Sequence, residues 1–187
     1  MKNRCEWVKS DLLRAYHDEE YGLRHHEDSY LFEMLVLEFM QAGLSFERIL
    51  NKREAMREAF DGFDYEKISL YGEDEVRVLL SNDKIIKNRL KIRALVKNAR
   101  AFMELREEFG SFDKYLETFV DKQIDYRRKE GEIISQSPLS EKLAKDMKKR
   151  GFTFVGPTII HSFMEAVGLI NCHLVTCFRY EEVKNSK

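Results

Sequence analysis

Proline is nearly missing from this chain: Pro138 and Pro157 are the only two among 187 residues, and just nine glycines accompany them. So few breakers leave long stretches free to stay helical, and runs of alternating β-branched residues are too scarce to mark a strand. Cysteine is scarce as well. Three of them, an odd number, argue against a disulfide-stapled secreted framework and for a reducing compartment. No apolar run approaches the roughly 18 residues of a membrane span, and no charged-then-apolar leader opens the sequence, so the expected location is the cytoplasm. A large charge of one sign is also lacking. The net charge of −1 does not announce a nucleic-acid binder, but clustering matters more than the total, and the basic residues are clustered.

What is present reads as an all-α, multi-helix globule: one domain over residues 1–187, which can divide into two helical lobes. Apolar periodicity expects helices over Ser29–Ala42, Glu47–Phe60, Glu73–Leu80, Asn88–Phe109, Ser111–Val120, Pro138–Arg150 and Thr158–Val167. Gly43, Gly110 and Gly151 stand at C-cap positions, and Ser137-Pro138 fits an N-cap followed by proline at the first helical position. Cys5–Gly22 is not obviously helical. The polar run Asp121–Gln136 is expected to be an exposed loop, and a monomer is the default state.

Three features carry chemistry. On the Ser29–Ala42 helix, Leu31, Met34, Leu35 and Glu38 share one face, which puts a carboxylate on an apolar stripe. Such a group points outward, pairs with an arginine, or serves as a functional acid in a pocket. Second, the basic helix ending Lys148-Lys149-Arg150 runs into the Gly151–Gly156 turn and a helix starting at Pro157. Free N–H groups and a positive helix end there suit a phosphate. The other basic run, Lys84–Arg100, is expected to be a solvated face. Third, Cys5 and His17 lie near one end of the sequence and His173-x-x-x-Cys177 near the other, at a helical i, i+4 spacing. Two thiolates and two imidazoles suit a tetrahedral zinc ion. The gap between Cys5 and His17 is not a standard finger spacing, so spacing alone leaves this open. Cys172 competes as a thiol but would face away from His173 on a helix.

These residues together resemble the helix-hairpin-helix DNA glycosylases, and among them the 3-methyladenine DNA glycosylase I family. The resemblance is carried by Cys5-x-Trp7-Val8, Ala15-Tyr16-His17-Asp18, Tyr21-Gly22, Leu31-Phe32-Glu33-Met34, Glu38, Gln41–Ser45, Lys149–Gly156 and Gly168-Leu169 ahead of His173 and Cys177, nearly the whole chain. It implies a structural Zn2+ held by Cys5, His17, His173 and Cys177. It implies that Tyr16 and Glu38 are the catalytic pair that hydrogen-bonds a flipped base, with Trp7, Tyr21 and Phe46 around that base. Gly43, Leu44 and Ser45 would fill the gap the base leaves, while Lys149, Arg150, Gly151, Gly156, Pro157 and Thr158 would hold the strand. The expected substrate is 3-methyladenine in alkylated double-stranded DNA, released as free base.

The sequence departs from the family pattern at several points. Tyr21 and Phe46 stand where tryptophan is common, and Phe154 where the wider superfamily has the first hairpin glycine. Thr158 occupies the place of the nucleophilic lysine of strand-cleaving relatives, so a Schiff base and nicking are not expected. Asn171 stands where many relatives carry an aspartate. A zinc-stapled module that only binds distorted DNA is the alternative reading. A metal hydrolase is a third, opposed by four ligands that would close the metal shell.

Overall fold

Every residue from Leu31 to Met40 is buried, Glu33 and Glu38 included, on the helix α2 (Asp28–Gln41). A helix covered on all sides belongs in the middle of a globule, and α2 touches α3 (Phe46–Ala59), α6 (Arg89–Phe109), α7 (Phe112–Glu117) and α9 (Pro157–Ala166). This computed structural model describes residues 2–185; Met1, Ser186 and Lys187 of the expected domain lie outside the described residues. The remaining helices are α1 (Asp11–Glu19), α4 (Tyr65–Ser69), α5 (Glu73–Ser81), α8 (Pro138–Lys149) and α10 (Arg179–Asn185). No helix among the described residues is long and apolar enough to cross a membrane.

Local chemistry sets the helix starts. Ser10, Ser45 and Asn88 each turn a side-chain oxygen onto free N–H groups at the first turns of α1, α3 and α6. Ser137 and Ser140 form a reciprocal capping box at α8, with Pro138 at the first helical position. All seven expected helices are present, with ends shifted by at most three residues.

Several expectations are corrected. The stretch Cys5–Gly22 contains a helix, α1, whose buried stripe is Leu13, Tyr16 and His17. Periodicity missed it because two of those three are polar-tipped. Two short strands, β1 (Ile124–Asp125) and β2 (Ile170–Asn171), pair in parallel, although no strand was expected. The Asp121–Gln136 run is an exposed loop as expected, apart from β1 and one buried residue. Its buried Arg128 donates to the Cys172 carbonyl (2.9 Å) and to Glu6 (3.0 Å), fastening the run to segments near both chain ends. His173 and Cys177 do not share a helix either: they flank a turn ahead of α10.

Within the basic run on α6, Lys91 is not solvated. It is 5% exposed, and its ammonium donates to the carbonyls of Met40 (2.8 Å) and Ala42 (2.6 Å). The end of α2 leaves carbonyls without helical partners, and a cation there meets both their hydrogen-bonding capacity and the negative helix end. Lys91 thus fixes the exit of α2 into Gly43-Leu44-Ser45. Lys91→Met would leave two carbonyls without donors, at a cost of about 1–3 kcal/mol. A lower urea midpoint, with faster amide exchange over residues 42–45 than elsewhere, is the expected outcome.

Candidate functional site

The two buried carboxylates of α2 differ in company. Glu33 accepts from Arg53 (2.7 Å) and Arg57 (2.6 Å). Glu38, one turn and a half further on and 5% exposed, receives no hydrogen bond or ion pair from any described residue. Burial pushes its pKa up from 4.5 to about 8, and the nearby charge of Glu165 adds to the shift. Of the three readings open to Glu38, the outward-pointing and arginine-paired ones are excluded.

Glu38 faces a cavity of about 380 Å3 whose wall also includes Trp7, Leu13, Tyr16, Tyr21, Gln41, Ser45, Phe46, Ser162 and Glu165. Pockets of a few hundred Å3, mostly apolar with a few polar groups, are where small ligands bind. The structure thus brings together all five residues expected at a base. Trp7 lies edge-on to Tyr21 with ring centroids 5.1 Å apart, and Tyr16 lies 5.0 Å from Phe46. Burial, and then the charge of Glu38, hold the Tyr16 phenol well above its usual range, so it stays a hydrogen-bond donor.

Sequence reasoning missed Glu165. It sits in the same wall, on α9, where its Oε2 accepts the Tyr21 hydroxyl at 2.9 Å. The signal available was weak: a single acid near the end of an apolar helix. A tyrosine at position 21 gives that acid a donor, which an indole could offer only through its one N–H.

A smaller cavity of about 190 Å3 next to the first is lined by Glu38, Gln41, Ala42, Gly43, Leu44, Thr158, Ile159 and Ser162. It sets the exposed Gly43 and half-buried Leu44 beside Thr158 at the start of α9. Gly156 is the N-cap of α9 and Pro157 its first residue. In the turn before it, Phe154 takes a left-handed backbone conformation (φ 55°). The conformation usual for glycine is thus kept although glycine is absent, at a cost of about 1–2 kcal/mol. Asn98 of α6 secures the turn through Thr153, accepting from its N–H (2.8 Å) and donating to its carbonyl (3.0 Å). Arg150 is half-buried and held in ion pairs with Glu108 (2.6 Å) and Asp146 (2.7 Å). Lys149 stays exposed.

The four expected metal donors converge and are all buried. Cys177 Sγ lies 3.4 Å from His17 Nε2 and 3.7 Å from His173 Nδ1, and Cys5 Sγ lies 3.6 Å from His173 Nδ1. A tetrahedral ion of zinc's size, with bonds of about 2.3 Å to sulfur and 2.0–2.1 Å to nitrogen, requires sulfur–nitrogen edges of about 3.5 Å. The group fits. Each histidine also has its other nitrogen engaged: His17 Nδ1 with Asp18 (2.8 Å), itself clamped by Arg4, and His173 Nε2 with the Tyr21 carbonyl (3.1 Å). Such outer partners orient an imidazole toward a metal. Asn171, at the position where an aspartate was sought, braces the same loop, since its Oδ1 accepts the His173 N–H and its amide donates to the Tyr180 carbonyl.

Gly22 adjoins this group with φ 79°, and a Cβ there would lie 2.9 Å from His173 Nε2. Gly22→Ala is therefore expected to destabilise the protein by about 2 kcal/mol or more, read as a lower thermal midpoint. Glu38 generates a second prediction. Its folded pKa lies above the unfolded value, so the native state keeps a proton that the unfolded chain releases between pH 4.5 and about 8. Stability should fall as pH rises through that window. Glu38→Gln is expected to match the parent below it and to exceed it above it by roughly 2–4 kcal/mol, in urea unfolding.

Comparison with known proteins shows the family. The methyladenine glycosylase family model matches residues 7–180. The Escherichia coli protein named DNA-3-methyladenine glycosylase 1 is 42% identical over 180 residues, which are 95% of this chain and 96% of that one. A crystal structure of 3-methyladenine DNA glycosylase I superposes with a TM-score of 0.91 at 43% identity, covering 94% of this chain and 98% of that chain. A Y16F form of such a glycosylase, in complex with 3-methyladenine, superposes with a TM-score of 0.89 at 33% identity, over 92% of this chain and 94% of that chain.

Proposed function

The chain belongs to the methyladenine glycosylase family, and from that premise we propose that it is a monofunctional DNA repair glycosylase. It hydrolyses the N-glycosidic bond of 3-methyladenine in alkylated duplex DNA, acts as a monomer, and leaves free base and an abasic site. The observation that carries this reading is the buried, unpartnered carboxylate of Glu38 in an aromatic-walled cavity.

An unpaired acid with a raised pKa discriminates by charge. With a neutral base in the cavity, Glu38 keeps its proton and offers little electrostatic attraction. Adenine methylated at N3 is a cation, and a cation beside the carboxyl lowers its pKa and draws out the proton to solvent. The base then lies against a carboxylate that accepts from its polar edge. Trp7, Tyr21 and Phe46 add cation–π attraction, and Tyr16 fixes its orientation. Extruding the nucleotide costs a few kcal/mol, less for a damaged base. Gly43, Leu44 and Ser45 fill the vacated stack, since an apolar wedge offsets lost base stacking.

The α8–turn–α9 segment serves as the hairpin that grips the strand. Past Thr153, whose N–H is taken by Asn98, the backbone N–H groups of Phe154, Val155, Gly156 and Thr158 face a phosphate, with Lys149 as the nearby cation. Arg150, braced by its ion pairs and partly exposed, is a second cation for the strand. Water attacks C1′ as the glycosidic bond breaks, and the bonding electrons leave with the base, which departs neutral while the water loses a proton. Thr158 supplies no amine nucleophile, so the strand stays whole. A structural zinc ion held by Cys5, His17, His173 and Cys177 would supply rigidity. Through the neighbouring positions 16 and 17 it fixes Tyr16, and through the Tyr21 carbonyl it fixes the pocket's aromatic wall.

The test is chromatography of bases released from methylated DNA, followed by strand analysis. Wild-type protein should release 3-methyladenine and leave strands intact until alkali is added. Its kcat/KM should rise with pH and level off near pH 8. Glu38→Gln should lower kcat/KM by roughly 100-fold or more and flatten that profile. Full excision by the glutamine variant, or strands nicked without alkali, would sink the assignment.

A further inference from the structure

His161 of α9 is 1% exposed, yet neither of its ring nitrogens makes a hydrogen bond. Both nitrogens of a buried imidazole going unsatisfied calls for an explanation, such as an ion. Its Nε2 lies 3.3 Å from Glu165 Oε1, but the two are not aligned as donor and acceptor. Close approach without alignment is what two atoms show when both point at a third position. Cys172, buried and nearby, completes a group of one nitrogen, one oxygen and one sulfur donor, all within 4.8 Å of one another.

We infer that His161, Glu165 and Cys172 form a second transition-metal site, of the zinc type, separate from the four-donor group. Nitrogen and oxygen ligands of one tetrahedral zinc ion stand about 3.3 Å apart, the separation found between His161 and Glu165. His161 and Glu165 are also one helical turn apart on a single face of α9, which fixes their relative placement. The Tyr21 hydroxyl holds Glu165 Oε2 at 2.9 Å, leaving Oε1 as the ligand atom. This is the outer-shell arrangement of carboxylates that bind metals. Binding displaces the Cys172 thiol proton to solvent, and the two anionic ligands match the charge of a divalent ion. Three protein donors leave one tetrahedral position for water. Since Glu165 also lines the large cavity, an ion here would cancel a negative charge facing Glu38. The inference does not rest on the activity proposed above.

Metal content of the full chain tests it. After loading with zinc and exhaustive dialysis, the protein is expected to retain about two ions per chain, and His161→Ala and Cys172→Ala about one each. Cadmium-substituted wild-type protein should give two NMR resonances, one from a two-sulfur site and one from a one-sulfur site, and Cys172→Ala should remove only the latter. Cys172→Ala is a small change in a buried position and keeps the test open if His161→Ala fails to fold. An ion count left unchanged by the substitutions, whether one or two, overturns the proposal.

Discussion

Residues 168 positions apart meet where Cys5 Sγ comes within 3.6 Å of His173 Nδ1, and the pocket depends on that meeting. Trp7 follows Cys5 by two residues, Tyr16 precedes His17, and Tyr21 holds His173 through its carbonyl. Three of the aromatic walls are thus set by a cluster that does not itself line that cavity. Arg128 adds a second tie between the same segments, through Glu6 and the Cys172 carbonyl. These ties add to the core packing of Leu13, Tyr16 and Tyr21 in offsetting the entropy of ordering the N-terminal stretch.

Against this scaffold, Glu38 is a deliberate instability. The chain has the means to neutralise a buried acid, as it does for Glu33 with two arginines, and withholds them one and a half turns later. A carboxyl left unpaired in this way is one whose charge a cation in the cavity would stabilise. Sites that hold unmet electrostatic demand are commonly costly to the fold and productive for function.

The central helices were legible because their apolar stripes repeat at helical period over nine or more residues. Helix α1 was not, since its inward face consists of Leu13, Tyr16 and His17, a short stripe in which two of three residues are polar-tipped. The paired strands are two residues each, too short to show alternation. Glu38 could be singled out as anomalous from its stripe alone, but deciding among its three fates required knowing which arginines reach α2. Lys91 and Arg150 show the same limit in reverse: both sit in basic runs, where sequence offers no reason to set one cation apart from its exposed neighbours. What sets each apart is a distant partner, the end of α2 for Lys91 and Glu108 for Arg150. Glu165 escaped notice because its partners, Tyr21 and His161, come from separate parts of the chain or from a helix read only for its apolar side.

Phe154, in its left-handed conformation, has a ring that the usual glycine lacks, and that ring lies 6.4 Å from Phe39, the residue after Glu38. Replacing a glycine by a bulky residue narrows the unfolded ensemble while straining the folded turn, and the ring contact helps to balance the strain. It also makes the turn and the acid-bearing helix parts of one mechanical unit. A displacement of the turn would pass through that ring contact to the backbone beside Glu38, a coupling that a glycine could not provide.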